Sequence, residues 1–178
     1  VKPWQPAGLW EAVAGVNSNT TRYVPDRGDA LFRRSLYTLW KRGVPPPNMI
    51  LFDAAAREAC TVNRQSTNTP LQALVTLNDP TFSVSAVAFA ARELKSSSKD
   101  EETLRNMWRR IQVREIPEKE LSILQALLID QRGHYTANPD LAAKRASVID
   151  SRLDPVRLAA FTEIAEILLN LDTTLTNY

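Results

Sequence analysis

The densest polar cluster of the chain lies between Asp53 and Asp79 and includes Asp53, Arg57, Glu58, Cys60, Arg64, Asn68, Gln72, Asn78 and Asp79. Two kinds of work follow from those residue types. Arginine forks and side-chain amides hold anionic or hydroxylated ligands, because a guanidinium donates in pairs to a carboxylate, phosphate or sulfate. On that reading Arg57, Glu58, Arg64, Asn68, Gln72, Asn78 and Asp79 bind a carbohydrate or another anionic ligand. The same side chains can instead pin long loops to helices, since loop backbone removed from water must find hydrogen-bond partners. The pinning reading is the favoured one, with Asp53 and Arg33 as its structural residues.

Catalysis has weaker support. Asp53, Glu58 and Asp79 could act as an acid and base or hold a cation, but glycoside hydrolysis commonly needs two carboxyls at a set separation. Spacing along the chain supplies no such distance, and no Asp/Gly loop of calcium-binding form is present. Cys60 could serve as nucleophile with His134 as base, yet no nucleophile motif surrounds it. A lone cysteine is more often a small buried hydrophobe, and that is expected here. There is no GxSxG, and His134 is the single histidine. No catalytic residue and no metal ligand is assigned.

RRSLYTLWKR mixes basic and aromatic residues, a pattern that nucleic-acid binders share. On a helix, Phe32, Leu36, Tyr37, Leu39 and Trp40 would form one broad core-facing arc, with Arg33 inside it. A buried unpaired charge is expensive, so Arg33 is expected to be buried and paired with Asp53, Glu58 or Asp79. A core helix with flanking charges is the preferred reading, and no nucleic-acid partner is expected.

The elements that would position these residues have two grammars. Eight of the eleven prolines and three of the four tryptophans lie at or before Pro80, among short apolar pieces and turn formers. Beyond Pro80 the pattern is long helical periodicity. Thr69-Pro70, Asp79-Pro80, Asn138-Pro139 and Asp154-Pro155 each pair an N-cap residue with proline at the first helical position. Ser98-x-x-Glu101 has capping-box form, and a further helix begins near Pro117. Leu104, Met107, Trp108 and Ile111 follow helical spacing, as do Leu121, Leu124, Leu127 and Leu128. Leu158 to Leu171 is apolar over half its circumference, the mark of a helix packed between neighbours. DALFRRSLYTLWKRG suits one more helix, and Leu9–Ala14 adds one turn. A short strand near Ala59–Val62 would lack a clear partner.

The fold expected is all-α, with about five to seven helices around one core and an irregular, proline-rich N-terminal wrap. Residues 1–178 are read as one domain: 1–66 irregular with one helix, 67–178 a helical core. TNTPLQALVTLNDP becomes a corner between two helices. Asn78 is expected to be buried there, as the last residue of the first helix or left-handed just past it, with Asp79 capping the second.

Composition narrows the function classes. At 44% hydrophobic and 24% charged residues, with net charge +2, the chain has a globular balance and no field that calls for nucleic acid or an anionic membrane. One cysteine and one histidine exclude an internal disulfide, a thiolate zinc site and CxxCH haem attachment. No apolar run approaches the ~20 residues of a membrane span. No cofactor is expected.

RYVPDRGDALFRRSLYTLWKR, PPPNMILFDAAAREACTVNRQSTNTPLQALVTLNDP and the terminal AEILLNLD together resemble the planctomycete secreted C-terminal domain of unknown function. VKPWQPAGLWEA resembles its opening segment. That domain stands in large proteins that often carry a cytochrome c module. The resemblance implies an exported, periplasmic or envelope-associated multidomain parent and no established reaction. The function expected is therefore a non-catalytic module that stabilises or docks onto other domains of that parent. The alternative is a carbohydrate- or anion-binding domain, hydrolytic in its strongest form.

Overall fold

Proline sets the phase of this fold. Prolines 47, 70, 80, 139 and 155 each occupy the first turn of an α-helix, where a missing N–H costs nothing and φ is already helical. The structure, a computed structural model, describes residues 1–15, 18, 21–41, 43–55, 57, 59–63, 67–147, 149 and 152–176. Among these residues the elements are α1 (Pro47–Leu51), α2 (Pro70–Asn78), α3 (Pro80–Ser96), α4 (Asp100–Gln112), α5 (Glu118–Ala137), α6 (Pro139–Ala146), α7 (Pro155–Leu169) and α8 (Asp172–Leu175), with three 3-10 turns near the N-terminus and no strand. The fold is all-α. The helices that the sequence reading did not foresee are α1 and α8, of about one turn each.

The chain divides into two compact units, Val1–Val75 and Thr76–Tyr178, with the boundary inside α2. The second holds the large core. There α7 packs against α3, α5 and α6. Its Leu158, Phe161, Ile164 and Leu168 are fully buried, and Ala159, Ala160 and Ala165 bury its other faces. Buried Leu104, Met107 and Trp108 come from α4, and Leu121, Leu124 and Leu128 from α5, as the spacing predicts.

Asp79 and Asp154 cap α3 and α7, accepting from the backbone N–H of Thr81 at 2.8 Å and of Arg157 at 2.9 Å. The expected box at Ser98 does not form. Lys99 precedes α4, and it is Ser97 Oγ that accepts from the Lys99 N–H and donates to Glu102. Asn138 also departs from expectation: its amide turns back to donate to the His134 carbonyl at 2.8 Å and makes no cap bond. Val113 closes α4 in the left-handed region (φ 54°), its N–H bonded to Arg109 O.

The first unit has few buried apolar side chains. Trp10 is fully buried and meets the Tyr23 ring edge-on at 4.7 Å. The Tyr23 hydroxyl donates to Pro3 O at 2.6 Å, and burial, Asp26 and Glu11 push its pKa up to about 12. The described residues of DALFRRSLYTLWKRG, 29–41 and 43, do not form the expected helix. They hold two 3-10 turns, Gly28–Leu31 and Ser35–Tyr37, and the chain is extended at Arg34 and Thr38. The Leu39 N–H is used by Val1 O at 2.7 Å instead of by a helical carbonyl. The physical reason is that an amphipathic helix of this length depends on a core to cover its apolar face. Here Phe32, Leu36 and Tyr37 stay exposed. Leu9–Ala14 supplies the expected single turn, as a 3-10 turn at Glu11–Val13.

Candidate functional site

The polar cluster resolves into a loop clasp. Asp53 follows α1 in the left-handed region (φ 55°), which Asp tolerates better than most residues. Its Oδ2 accepts from the Thr67 N–H at 2.8 Å and the Thr67 hydroxyl at 2.7 Å. Gln72, on the first turn of α2, completes the clasp. Its Nε2 donates to Leu51 O at 2.6 Å and to Thr67 Oγ1 at 3.2 Å, while its Oε1 accepts from the Thr69 N–H at 2.9 Å. Thr69 Oγ1 in turn accepts from the Gln72 N–H at 3.4 Å. Thr69-x-x-Gln72 is thus a reciprocal capping box, legible in TPLQ though not among the boxes expected from sequence. Gln72 is 1% exposed, with both amide hydrogens and its oxygen engaged.

The other members of the cluster are placed as follows. Arg57 is exposed, left-handed (φ 62°), with its guanidinium 4.6 Å from the Trp40 ring centroid. Asn68 is exposed, and Cys60 is an exposed free thiol where a buried hydrophobe was expected. Asn78 ends α2 as expected but is exposed and not left-handed. The turn is made by Asp79, which is buried and extended at the N-terminus of α3, so Asn78 is left on the outer side of the corner. Asn78 and Asp79 belong to the second unit, and Glu58 and Arg64 lie outside the described residues.

Arg33 overturns an expectation. It is exposed, its guanidinium lies 4.5 Å from the Tyr37 ring centroid, and no carboxylate among the described residues pairs with it. Without a helix at 29–43 there is no core-facing arc for it to occupy. The aromatic face replaces the expected carboxylate.

A second polar group, in the helical unit, was not anticipated. Arg145 of α6 pairs with Glu166 and lies 3.6 Å from Glu163, both on α7, and donates to Ser83 Oγ of α3 at 2.9 Å. The Tyr135 hydroxyl of α5 donates to Glu163 at 2.6 Å. Burial raises the Glu166 pKa despite Arg145, and Glu163 adds to the rise. Burial and the bond to Glu163 raise that of Tyr135, which stays a neutral donor. A cleft of about 450 Å³ beside the group is lined by residues that include His134, Leu141 and Lys144. The available signal was Glu163 and Glu166, three apart in an otherwise apolar helix. Charges there call for a cation, but several arginines precede them in the chain, and spacing alone does not single out Arg145 from Arg152 and Arg157.

Chemically, both groups tie chain segments together. Asp53 spends one oxygen on two donors, and Arg145 is shared by two carboxylates. Among the described residues no set of three or more His, Cys, Asp or Glu side chains is placed to hold a metal ion. No described helix is long and apolar enough to cross a membrane.

Among the described residues the chain is all-helical, and its two polar clusters clasp loops and join helices. It belongs to the PSD1 family, a protein family of unknown function (DUF1553), whose model matches residues 1–128. The match ends at Leu128, short of the AEILLNLD segment. No curated protein and no solved structure matches the chain significantly.

Proposed function

We propose that this chain is a non-catalytic helical module, without a cofactor of its own, that docks onto and stabilises other domains of a larger exported planctomycete polypeptide. In some relatives that polypeptide would also carry a cytochrome c module. The observation behind this reading is the apolar face of α2. Leu71 and Leu74, one helical turn apart, are each 57% exposed. Leucines at that spacing form a stripe that ordinarily faces a core, and here both side chains stay more than half exposed. Full engagement of Gln72 agrees with it, since a clasp positions the helix and leaves no free amide for a ligand.

The test compares amide exchange of residues 70–75 in the complete natural polypeptide with that in the chain produced alone. Slower exchange in the complete polypeptide is the expected result. Equal exchange would remove the docking reading.

Ligand binding, the second reading, has one observation in its favour. Arg57 is a non-glycine residue held left-handed, and its fork rests on Trp40. Such strain collects at functional sites. Titration with sulfate and with an acidic sugar, followed by tryptophan fluorescence, decides it. A saturable change lost in Arg57→Ala supports a site, and no change rejects it.

A further inference from the structure

Phe32–Tyr37, FRRSLY, is a run of six consecutive exposed residues. Its apolar members are large: Leu36 is 73% exposed, Tyr37 53% and Phe32 52%. Between them stand Arg33 and Arg34, neither of which meets a carboxylate among the described residues. The acids of the same unit are largely taken up by backbone. Glu11 accepts from the Tyr23 N–H at 3.2 Å, Asp26 from the Lys2 N–H at 2.8 Å, and Asp53 from Thr67. Val1–Val75 carries nine basic against five acidic residues.

That composition is the one found at the centre of protein interfaces. Aromatic residues and arginine are enriched there, and arginine pairs in two-pronged fashion with carboxylates. The stack on Tyr37 also restrains the Arg33 guanidinium before any partner arrives, which lowers the ordering entropy of binding. The same stack argues against nucleic acid, because the guanidinium already covers one face of the ring on which a base would lie. Leu36, the most exposed of the three, gains nothing from a phosphate backbone.

We propose that Phe32–Tyr37 is a recognition strip for an acidic protein surface with an apolar centre. Carboxylates on the partner take Arg33 and Arg34, and its apolar centre takes Phe32 and Leu36. The proposal rests on the docking reading above and specifies the chemistry of what is docked.

The experiment places a photo-crosslinker at Ser35, as Ser35→p-benzoylphenylalanine, in the complete protein in the cells that make it, and identifies the adduct by mass spectrometry. The expected adduct is a peptide segment rich in Asp and Glu around an apolar residue. Its yield should fall about tenfold in Arg33→Glu/Arg34→Glu, as charge reversal at a complementary contact requires. In a lysate of those cells, the yield from the otherwise unaltered protein should also fall between about 0.05 M and about 0.5 M salt, since screening weakens exposed charge pairs. That second arm holds even if the reversed variant fails to fold. An adduct to a protein segment without acidic residues, indifferent to salt, overturns the acidic partner while leaving docking intact. A nucleic-acid adduct also overturns it. No adduct at Ser35, with no protection at residues 70–75, removes both readings together.

Discussion

One side-chain amide, that of Gln72, satisfies Leu51 O, Thr67 Oγ1 and the Thr69 N–H at once. Gln72→Ala should destabilise the first unit by about 2–3 kcal/mol, because buried backbone groups would lose their partner. Gln72→Glu separates the two roles. It keeps an acceptor for Thr69 but turns an oxygen toward Leu51 O, so it should lose nearly as much. Urea unfolding followed by tryptophan fluorescence measures both, and a harmless Gln72→Glu would show that only the cap matters. The helical unit offers a pH test with two signs. Glu166 has its folded pKa raised above 4.5, chiefly by burial. Its contribution is therefore fully present at pH values below the unfolded pKa and is lost as pH rises through the folded one. Asp100 is shifted the other way. Desolvation pushes it up but is outweighed by Arg132 at 2.5 Å and Arg157 at 3.0 Å, so it sits below 3.8. Its contribution is present above 3.8 and is lost as pH falls through its folded pKa. In thermal melts, unaltered protein should exceed Glu166→Gln by more at pH 4 than at pH 7, and exceed Asp100→Asn by more at pH 7 than at pH 3. Residue identity made Asp53 and Gln72 visible as candidates. It did not reveal that Arg33 would rest on Tyr37, because the wheel that buried Arg33 presumed a helix.

Helix starts carry the same proline signal but not the same cap. Asp79 and Asp154 each accept a backbone N–H, whereas Asn138 spends its amide on His134 O. Asp79→Ala and Asp154→Ala should each cost about 1 kcal/mol in urea unfolding, and Asn138→Ala clearly less. Equal losses at all three would mean that proline, and not the cap, sets the starts. These starts were legible because proline and its preceding residue restrict the backbone locally, whatever packs around them. The segment at 29–43 was not legible for the converse reason. Its spacing satisfies a helix, but that preference is realised only when tertiary packing covers the apolar face. Choosing Ser97 over Ser98 as the residue that turns into α4 is a one-residue matter that local sequence leaves nearly degenerate.

At the scale of the whole chain, apolar burial is uneven between the two units. The helical unit buries most of α7, while the first unit keeps Trp10 as its one fully buried large apolar side chain among the described residues. Local opening follows buried contact, so amides of α7 should exchange far more slowly than those of Ser35–Leu39 and α1 in the chain alone. Exchange mass spectrometry reads this directly, and uniform protection would show that the chain unfolds as one unit. That the molecule is helical could be read from periodicity. That its burial is partitioned could not, since a pattern shows which residues want cover and not whether the chain supplies it. The Asp53–Thr67 clasp carries a last consequence, for how relatives diverge. It holds two points fourteen positions apart, and the entropy of closing a loop grows only logarithmically with its length. Doubling the intervening chain would weaken the clasp by only about 0.6 kcal/mol. Insertions and deletions should therefore accumulate between positions 53 and 67 across the family, while the Asp, Thr and Gln of the clasp keep their mutual order on either side.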